Sequence, residues 1–161
     1  MFIVKAAFSE QVEWRTGVER AREFLNDLRN FVELMPGVES IRAEAGGVAR
    51  WVIRAEVPVV GSMRQAFAVA QSASEPRRIE WSPAPGERKN FLRYSAALED
   101  LGDRTRVRIE QRVEVRRATA RELHLLAGLA GESRLSAALQ NGVTEMVRTF
   151  LQRARAKLEK P

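Results

Sequence analysis

The chain of 161 residues contains no cysteine, which excludes disulfide bridges, thiolate metal sites and a cysteine nucleophile. Histidine occurs once, at position 124, so a metal site built from several histidines is excluded as well. No apolar run approaches the roughly 18 residues of a membrane span, and the N-terminus lacks the pattern of a signal peptide. We therefore expect a cytoplasmic protein with no metal and no cofactor.

The composition is typical of a single domain spanning residues 1–161. Hydrophobic residues make up 45% of the chain and charged residues 30%, a balance that allows a chain of this length to bury its own core. The net charge of +6 comes from 23 arginines and 4 lysines, which are interleaved with 21 acidic residues along the sequence. A dispersed excess of this kind is typical of a solvated surface, so we expect no specific nucleic-acid partner.

The spacing of apolar residues predicts an α+β fold. Strict alternation over about residues 2–14 predicts a strand, and Thr16 with Glu19 has the spacing of a capping box that begins the first of two short helices. Residues 38–117 alternate between apolar and polar positions and are divided by glycine and proline turns, which predicts a run of antiparallel strands. Residues 133–157 form one long amphipathic stripe, which predicts a helix of about 37 Å.

These elements favour a helix-grip architecture. The last predicted strand carries apolar residues on one face and a row of arginines on the other, so the sheet needs a cover on its apolar face only. The C-terminal helix is the one predicted element long enough to provide that cover. We therefore expect a curved antiparallel sheet of about seven strands, two short helices after the first strand, and the long helix across the concave face.

The segment Met35–Ile41, which follows the second short helix, resembles the Leu-Pro-Gly-Val-Glu-Ser-Val segment of the SRPBCC (START-like) superfamily. Bacterial polyketide cyclase/dehydrase-type members and the related G subunits of carbon monoxide dehydrogenase carry it at the same place. The likeness extends over nearly the whole chain through short motifs at structural turns and core positions, among them Trp51, Pro76, Trp81 and Gly131.

The resemblance implies a helix-grip fold whose cavity holds a hydrophobic small molecule such as a lipid, a polyketide or a quinone. One departure lies at the end of the last strand. Cyclase/dehydrase-type members usually have a Pro-Pro-Gly-Gly turn there, whereas this chain has residues 116–119, Arg-Arg-Ala-Thr. The resemblance therefore does not predict the geometry of the pocket entrance in this chain.

Large or polar side chains on the inward-facing positions are the candidates for lining a pocket. They are Trp14, Trp51, Ile53, Phe67, Trp81, Tyr94, Ile109, Gln111, Met146 and Phe150. The tryptophan rings can pack against a flat conjugated ligand or can fill the core themselves. Gln111 and Tyr94 can orient a ligand carbonyl or hydroxyl, or can be satisfied by neighbouring backbone.

Two titratable residues are weak candidates for chemistry. Glu10 has the inward parity of the first strand, where a carboxylate in an apolar cavity can act as a general acid or base. A β-bulge that turns Glu10 to solvent is the alternative. His124 lies at the edge of an apolar helix face, as a structural residue or as an acid/base group in the pocket.

Three functions are compatible with these features, and the sequence contains no convincing catalytic set. The first is binding or transport of a hydrophobic molecule, and the second is a polyketide cyclase or dehydrase that uses polar pocket groups. The third is a basic surface that contacts RNA or, transiently, an anionic membrane. Its candidates are the arginine row of the last strand and the basic residues near the end of the long helix, Arg148, Arg153, Arg155, Lys157 and Lys160. Glutamates interrupt the arginine row, which favours an ion-pair surface.

Overall fold

The computed structural model describes residues 1–57 and 59–160 and has the predicted helix-grip architecture. The elements in chain order are β1 (Phe2–Trp14), α1 (Val18–Asn26), α2 (Arg29–Leu34), β2 (Val38–Glu44), β3 (Val48–Val57), β4 (Gly61–Glu75), β5 (Arg78–Pro83), β6 (Asn90–Asp100), β7 (Thr105–Arg117), α3 (Ala120–Leu123) and α4 (Ala127–Leu158). The seven described strands form one antiparallel sheet in the order β1-β7-β6-β5-β4-β3-β2.

The pairing of β1 with β7 is continuous from Phe2 opposite Arg117 to Trp14 opposite Thr105. Because no residue is inserted along this pair, the side chains of β1 keep the same parity throughout. Glu10 therefore stays on the inner face, and the predicted alternative of a bulge that turns it to solvent is wrong.

The first helix begins one residue later than the capping box predicted. Gly17 is the N-cap of α1, and no side chain caps this end of the helix. Thr16 is buried instead, and its carbonyl accepts a hydrogen bond of 2.9 Å from the Thr105 hydroxyl at the start of β7. Thr16 is thus held by a tertiary contact with β7 and does not cap the helix.

Helix α4 runs along β1, one of the two edge strands of the sheet, and supplies hydrogen-bond partners for its outer backbone groups. The N–H groups of Ile3 and Ala7 donate to the carboxylate of Glu132 (2.6 Å) and the amide oxygen of Gln140 (2.9 Å). The Gln140 amide nitrogen donates back to the Ala7 carbonyl at 2.7 Å, so this one side chain pairs with β1 as a neighbouring strand would.

Alternate residues of β1 contact every fourth residue of α4, and this spacing follows from the backbone repeats of a strand and a helix. Alternate residues of a strand are about 6.6 Å apart, and helix residues four apart are separated by about 6 Å. The same pairing continues between these two contacts, where the N–H of Lys5 donates to the Ser136 hydroxyl (3.2 Å). Near the far end of both elements, the Arg155 guanidinium donates to the Glu13 carbonyl (2.9 Å). The helix thus covers a sheet edge that would otherwise expose its polar backbone.

The half of the core under α2 is filled by aromatic rings. Phe31 is buried at their centre and stacks on Phe150 of α4, with 4.5 Å between ring centroids. The rings of Trp51 and Tyr94 pack against Phe31 at 5.3 and 5.0 Å. Phe24 links Phe150 to Trp14 at 6.0 and 6.2 Å. We refer to these six residues as the aromatic cluster.

Candidate functional site

A cavity of about 410 Å³ lies between α4 and the sheet, beside the aromatic cluster. Its walls come from the start of β1, the ends of β3 and β7, the start of β4 and the middle of α4, with Pro36 and Gly37 after α2 and Leu123 of α3. The principal apolar side chains in these walls are Val4, Ile53, Met63, Phe67, Val113, Val115, Leu135, Leu139, Val143 and Met146. This size is within the roughly 300–1,000 Å³ of ligand pockets, and an apolar lining with few polar groups is typical of them.

The space exists because α4 presents small residues to the sheet at this level. Ala138 and Gly142 lie on the helix face that lines the cavity, between the larger Leu135 and Met146. A Cβ atom added to Gly142 meets no heavy atom within 4 Å. A glycine in a helix interior is unfavourable by about 1 kcal/mol relative to alanine, so its presence here keeps space free at a cost in stability.

Exposed charged residues form the rim of the cavity. Arg54, Glu56 and Glu145 contribute to the lining and are solvent exposed. The Arg54 guanidinium lies 3.5 Å from the Glu56 carboxylate and donates to the Ser62 hydroxyl at 2.7 Å. The charges of the lining are therefore at its solvent side.

Gly37 brings two parts of this rim close together. The Arg54 N–H donates to the Gly37 carbonyl at 2.8 Å. A Cβ atom on Gly37 would lie 2.8 Å from the Arg54 carbonyl oxygen, and Gly37 has φ +89°. This glycine, part of the segment that carries the family resemblance, is thus required by backbone geometry.

The structure separates the ten predicted pocket residues into two groups. Ile53, Phe67, Gln111 and Met146 line the cavity. Six others point inward but lie outside its lining: Trp14, Trp51, Trp81, Tyr94, Ile109 and Phe150. Four of these six belong to the aromatic cluster, because α2 places Phe31 among them and fills the space. The sequence prediction missed Val4, Val113 and Val115, which have the inward parity of their strands, and the small residues of α4.

The weak catalytic candidates are also outside the lining. Glu10 is on the inner face, but its carboxylate lies 3.6 Å from the guanidinium of Arg148 on α4. About a third of the Glu10 side chain remains exposed. His124 is half-buried after α3, where its Nδ1 accepts a hydrogen bond from the N–H of Leu126 at 3.1 Å. Each side chain therefore has a structural partner, and the described lining contains neither.

The C-terminal end of β7 forms a polar network instead of the Pro-Pro-Gly-Gly turn that the resemblance implies. The Arg117 guanidinium is half-buried and donates to the side-chain oxygens of Gln65 (3.0 Å) and Asn90 (2.9 Å). The Asn90 amide in turn donates to the Ala66 carbonyl on β4 at 2.8 Å, and so joins β6 to β4 beyond the end of β5 at Pro83. Arg117 therefore joins β7 to β4 and β6 at the place where the resemblance implies a Pro-Pro-Gly-Gly turn.

The outer face of β7 is an ion-pair surface, as the alternation of charges favoured. Arg106 lies directly opposite Glu99 of β6 and pairs with it at 3.0 Å. Along the strand, Arg108 pairs with Glu110 at 3.3 Å, and Arg116 pairs with Glu114.

Most of the basic residues near the end of α4 also contact the body of the protein. The Arg153 guanidinium donates to the Leu34 carbonyl at 3.1 Å, and the Lys157 ammonium donates to the Asn30 side chain at 3.2 Å. No helix in the described ranges, 1–57 and 59–160, has the length and apolar character needed to cross a bilayer.

Solved structures with the same fold cover nearly the whole chain. A START superfamily protein from Mycobacterium smegmatis has a TM-score of 0.60 and 16% identity over 95% of this chain and 97% of its own. Zhui aromatase/cyclase from Streptomyces sp. R1128 has a TM-score of 0.60 and 16% identity over 94% of both chains. A protein from Deinococcus radiodurans has a TM-score of 0.63 and 19% identity over 96% of this chain and 98% of its own.

No protein-family model matches the sequence, and no curated protein matches it either. At the identities above, the likeness is one of fold. The START-like helix-grip fold that the segment Met35–Ile41 and the later motifs indicated is thereby confirmed.

Proposed function

We propose that this protein binds a hydrophobic small molecule in the cavity between the sheet and α4. The observation that carries the proposal is the contrast between the two halves of one core. The aromatic cluster fills the half under α2, whereas about 410 Å³ remains open beside it within an apolar lining. Since interiors normally pack to crystal density, an apolar space of this size in a small domain favours an occupant.

Binding has more support than catalysis in this geometry. Glu10 and His124 have partners outside the lining, and the charged lining residues Arg54, Glu56 and Glu145 are at the exposed rim. An acid/base pair held against a buried ligand would need titratable groups deeper in the lining. The likeness to an aromatase/cyclase extends to the fold and adds no reacting group to this chain.

A neutral fluorescent probe tests the proposal. N-phenyl-1-naphthylamine brightens in apolar surroundings, and we expect it to bind the purified protein at one saturable site. Gly142→Phe, which places a ring in the cavity, should weaken this binding at least tenfold. Ala156→Phe is the matched control, because Ala156 is an exposed residue of the same helix.

Native mass spectrometry of the protein as purified, followed by solvent extraction, then identifies any molecule that it carries. Two results would overturn the proposal: a wild-type protein that binds no probe, or Gly142→Phe protein that is folded and binds the probe as tightly as wild type.

The cysteine-free sequence also leads us to propose a cytoplasmic location, which cell fractionation would test.

A further inference from the structure

Gln111 is the one polar residue on the apolar inner face of β7 between Val107 and Val115. Its relative exposure is 4%, and its side chain lines the cavity. The register places it directly opposite Phe8 of β1 and Tyr94 of β6, so it lies next to the aromatic cluster. Gln111 thus marks the buried end of the cavity, away from the charged rim.

The amide of Gln111 makes no side-chain hydrogen bond to any of the residues that the structure describes. The other buried amides differ: Asn30 donates to the Phe24 carbonyl at 2.8 Å, and Asn90 donates to the Ala66 carbonyl at 2.8 Å. The oxygen of Gln65, the second amide in the lining, accepts from Asn90 and Arg117 at 3.0 Å each. The Gln111 amide instead faces the cavity, so its donor and its acceptor are both available to a molecule bound there.

A second unpartnered group belongs to Tyr94, the residue directly opposite Gln111 on β6. The Tyr94 hydroxyl is buried and has no hydrogen-bond partner within the described ranges. Burial raises the pKa of Tyr94, so its phenol stays neutral and keeps its proton. Side chains directly opposite on adjacent strands have Cβ atoms about 5 Å apart, but Tyr94 lies outside the cavity lining, so Gln111 is the group of this pair that a ligand can reach.

We infer that the ligand of this cavity carries an uncharged carbonyl or hydroxyl group, which hydrogen bonds to the Gln111 amide at the buried end of an otherwise apolar molecule. The inference rests on the proposed function and adds the chemical class of the ligand to it. An amide can both donate and accept, so it fits either group. A ligand carboxylate is disfavoured there, since the cation of the described lining, Arg54, is at the exposed rim.

The test uses two tricyclic probes that differ only in a ketone, 9-fluorenone and fluorene, in calorimetric titrations of the full chain. We expect wild-type protein to bind fluorenone at least tenfold more tightly than fluorene. Gln111→Leu replaces the amide with an apolar group of similar size, and it should remove this preference while leaving fluorene affinity within about threefold. Gln11→Leu is the control, because Gln11 is exposed on β1.

Each outcome has a definite meaning. Equal weakening of both probes by Gln111→Leu, or a ketone preference that persists in this variant, would overturn the inference and leave the proposed function standing. If wild-type protein binds both probes equally, the inference is also wrong. Failure of both probes to bind wild-type protein would contradict the proposed function itself. Gln111→Met provides a second apolar variant, and circular dichroism with thermal melting checks that each variant is folded.

Discussion

The pairing of Gln140 with the edge strand gives the sharpest test of how α4 is held in place. Replacing Gln140 with alanine removes two hydrogen bonds to the backbone of Ala7, of 2.9 and 2.7 Å. A net hydrogen bond contributes about 0.5–1.5 kcal/mol, and water at the exposed edge replaces part of that. The better helix propensity of alanine returns a few tenths. We therefore expect Gln140→Ala to lower the free energy of unfolding by about 1 kcal/mol.

Urea denaturation measures this loss, and Gln152→Ala is the control for helix propensity, because Gln152 is exposed on the same helix. Amide hydrogen exchange gives a second, local measurement: the Ala7 amide should exchange faster in Gln140→Ala, with little change at residues in the middle of the sheet. The reasoning is refuted if Gln140→Ala is as stable as Gln152→Ala and protection of the Ala7 amide is unchanged.

Gln140→Glu separates the two bonds. A carboxylate can still accept from the Ala7 N–H, but its second oxygen would meet the Ala7 carbonyl oxygen and repel it. We expect a loss of stability at neutral pH that is partly recovered when the carboxyl is protonated in acid. If stability is not recovered in acid, the hydrogen bond that the Gln140 amide donates to the Ala7 carbonyl contributes nothing.

Three further changes follow from other parts of the structure. Gly142→Ala should raise the free energy of unfolding by about 0.5–1 kcal/mol in urea, because the new Cβ meets no atom; lower stability would indicate that the helix is strained there. Phe31→Ala should lower the free energy of unfolding by about 3–5 kcal/mol. Val32→Ala is the control, because Val32 is 38% exposed and its replacement should change stability little. Similar losses of stability in the two variants would contradict the central place of Phe31 in the core. The Ser72 hydroxyl and nearby arginines hold the pKa of Glu80 below its usual 4.5, so Glu80 adds stability above that pH and loses it as pH falls through its lower folded value. Glu80→Gln should therefore be less stable than wild type at neutral pH, with the difference vanishing in strong acid, and a difference that is constant with pH would exclude this role.

Local pattern was sufficient to predict which residues face inward. In β7 the apolar positions alternate with charged ones, and all six inner residues from Thr105 to Val115 are buried as that alternation predicts. The same parity placed Glu10 on the inner face. The side-chain direction in a strand depends only on the repeat of the backbone, so this information is present in the nearest few residues.

The partners of those residues could not be predicted in the same way. Glu10 meets Arg148 and Gln140 meets Ala7 because α4 runs beside β1, and the sequence separations of these pairs exceed 130 residues. Amphipathic spacing identifies the face of a helix that packs inward, but not the part of the sheet against which it lies. The capping box at Thr16 was also wrong, because Gly17 is the N-cap of α1 and Thr16 is buried against β7, where its carbonyl accepts from the Thr105 hydroxyl.

The fold class, the order of the elements and the inward or outward direction of the residues in β1, β3, β6 and β7 followed from local pattern, because these depend on repeats of two and about four residues. Which parts of the interior are filled and which are open depends on how the elements pack together. That outcome depends on a volume shared by α2, α4 and four strands: Phe31 fills the core under α2, and Ala138 and Gly142 leave space between α4 and the sheet. Empty space is a property of all its walls together, and no single stretch of the chain encodes it.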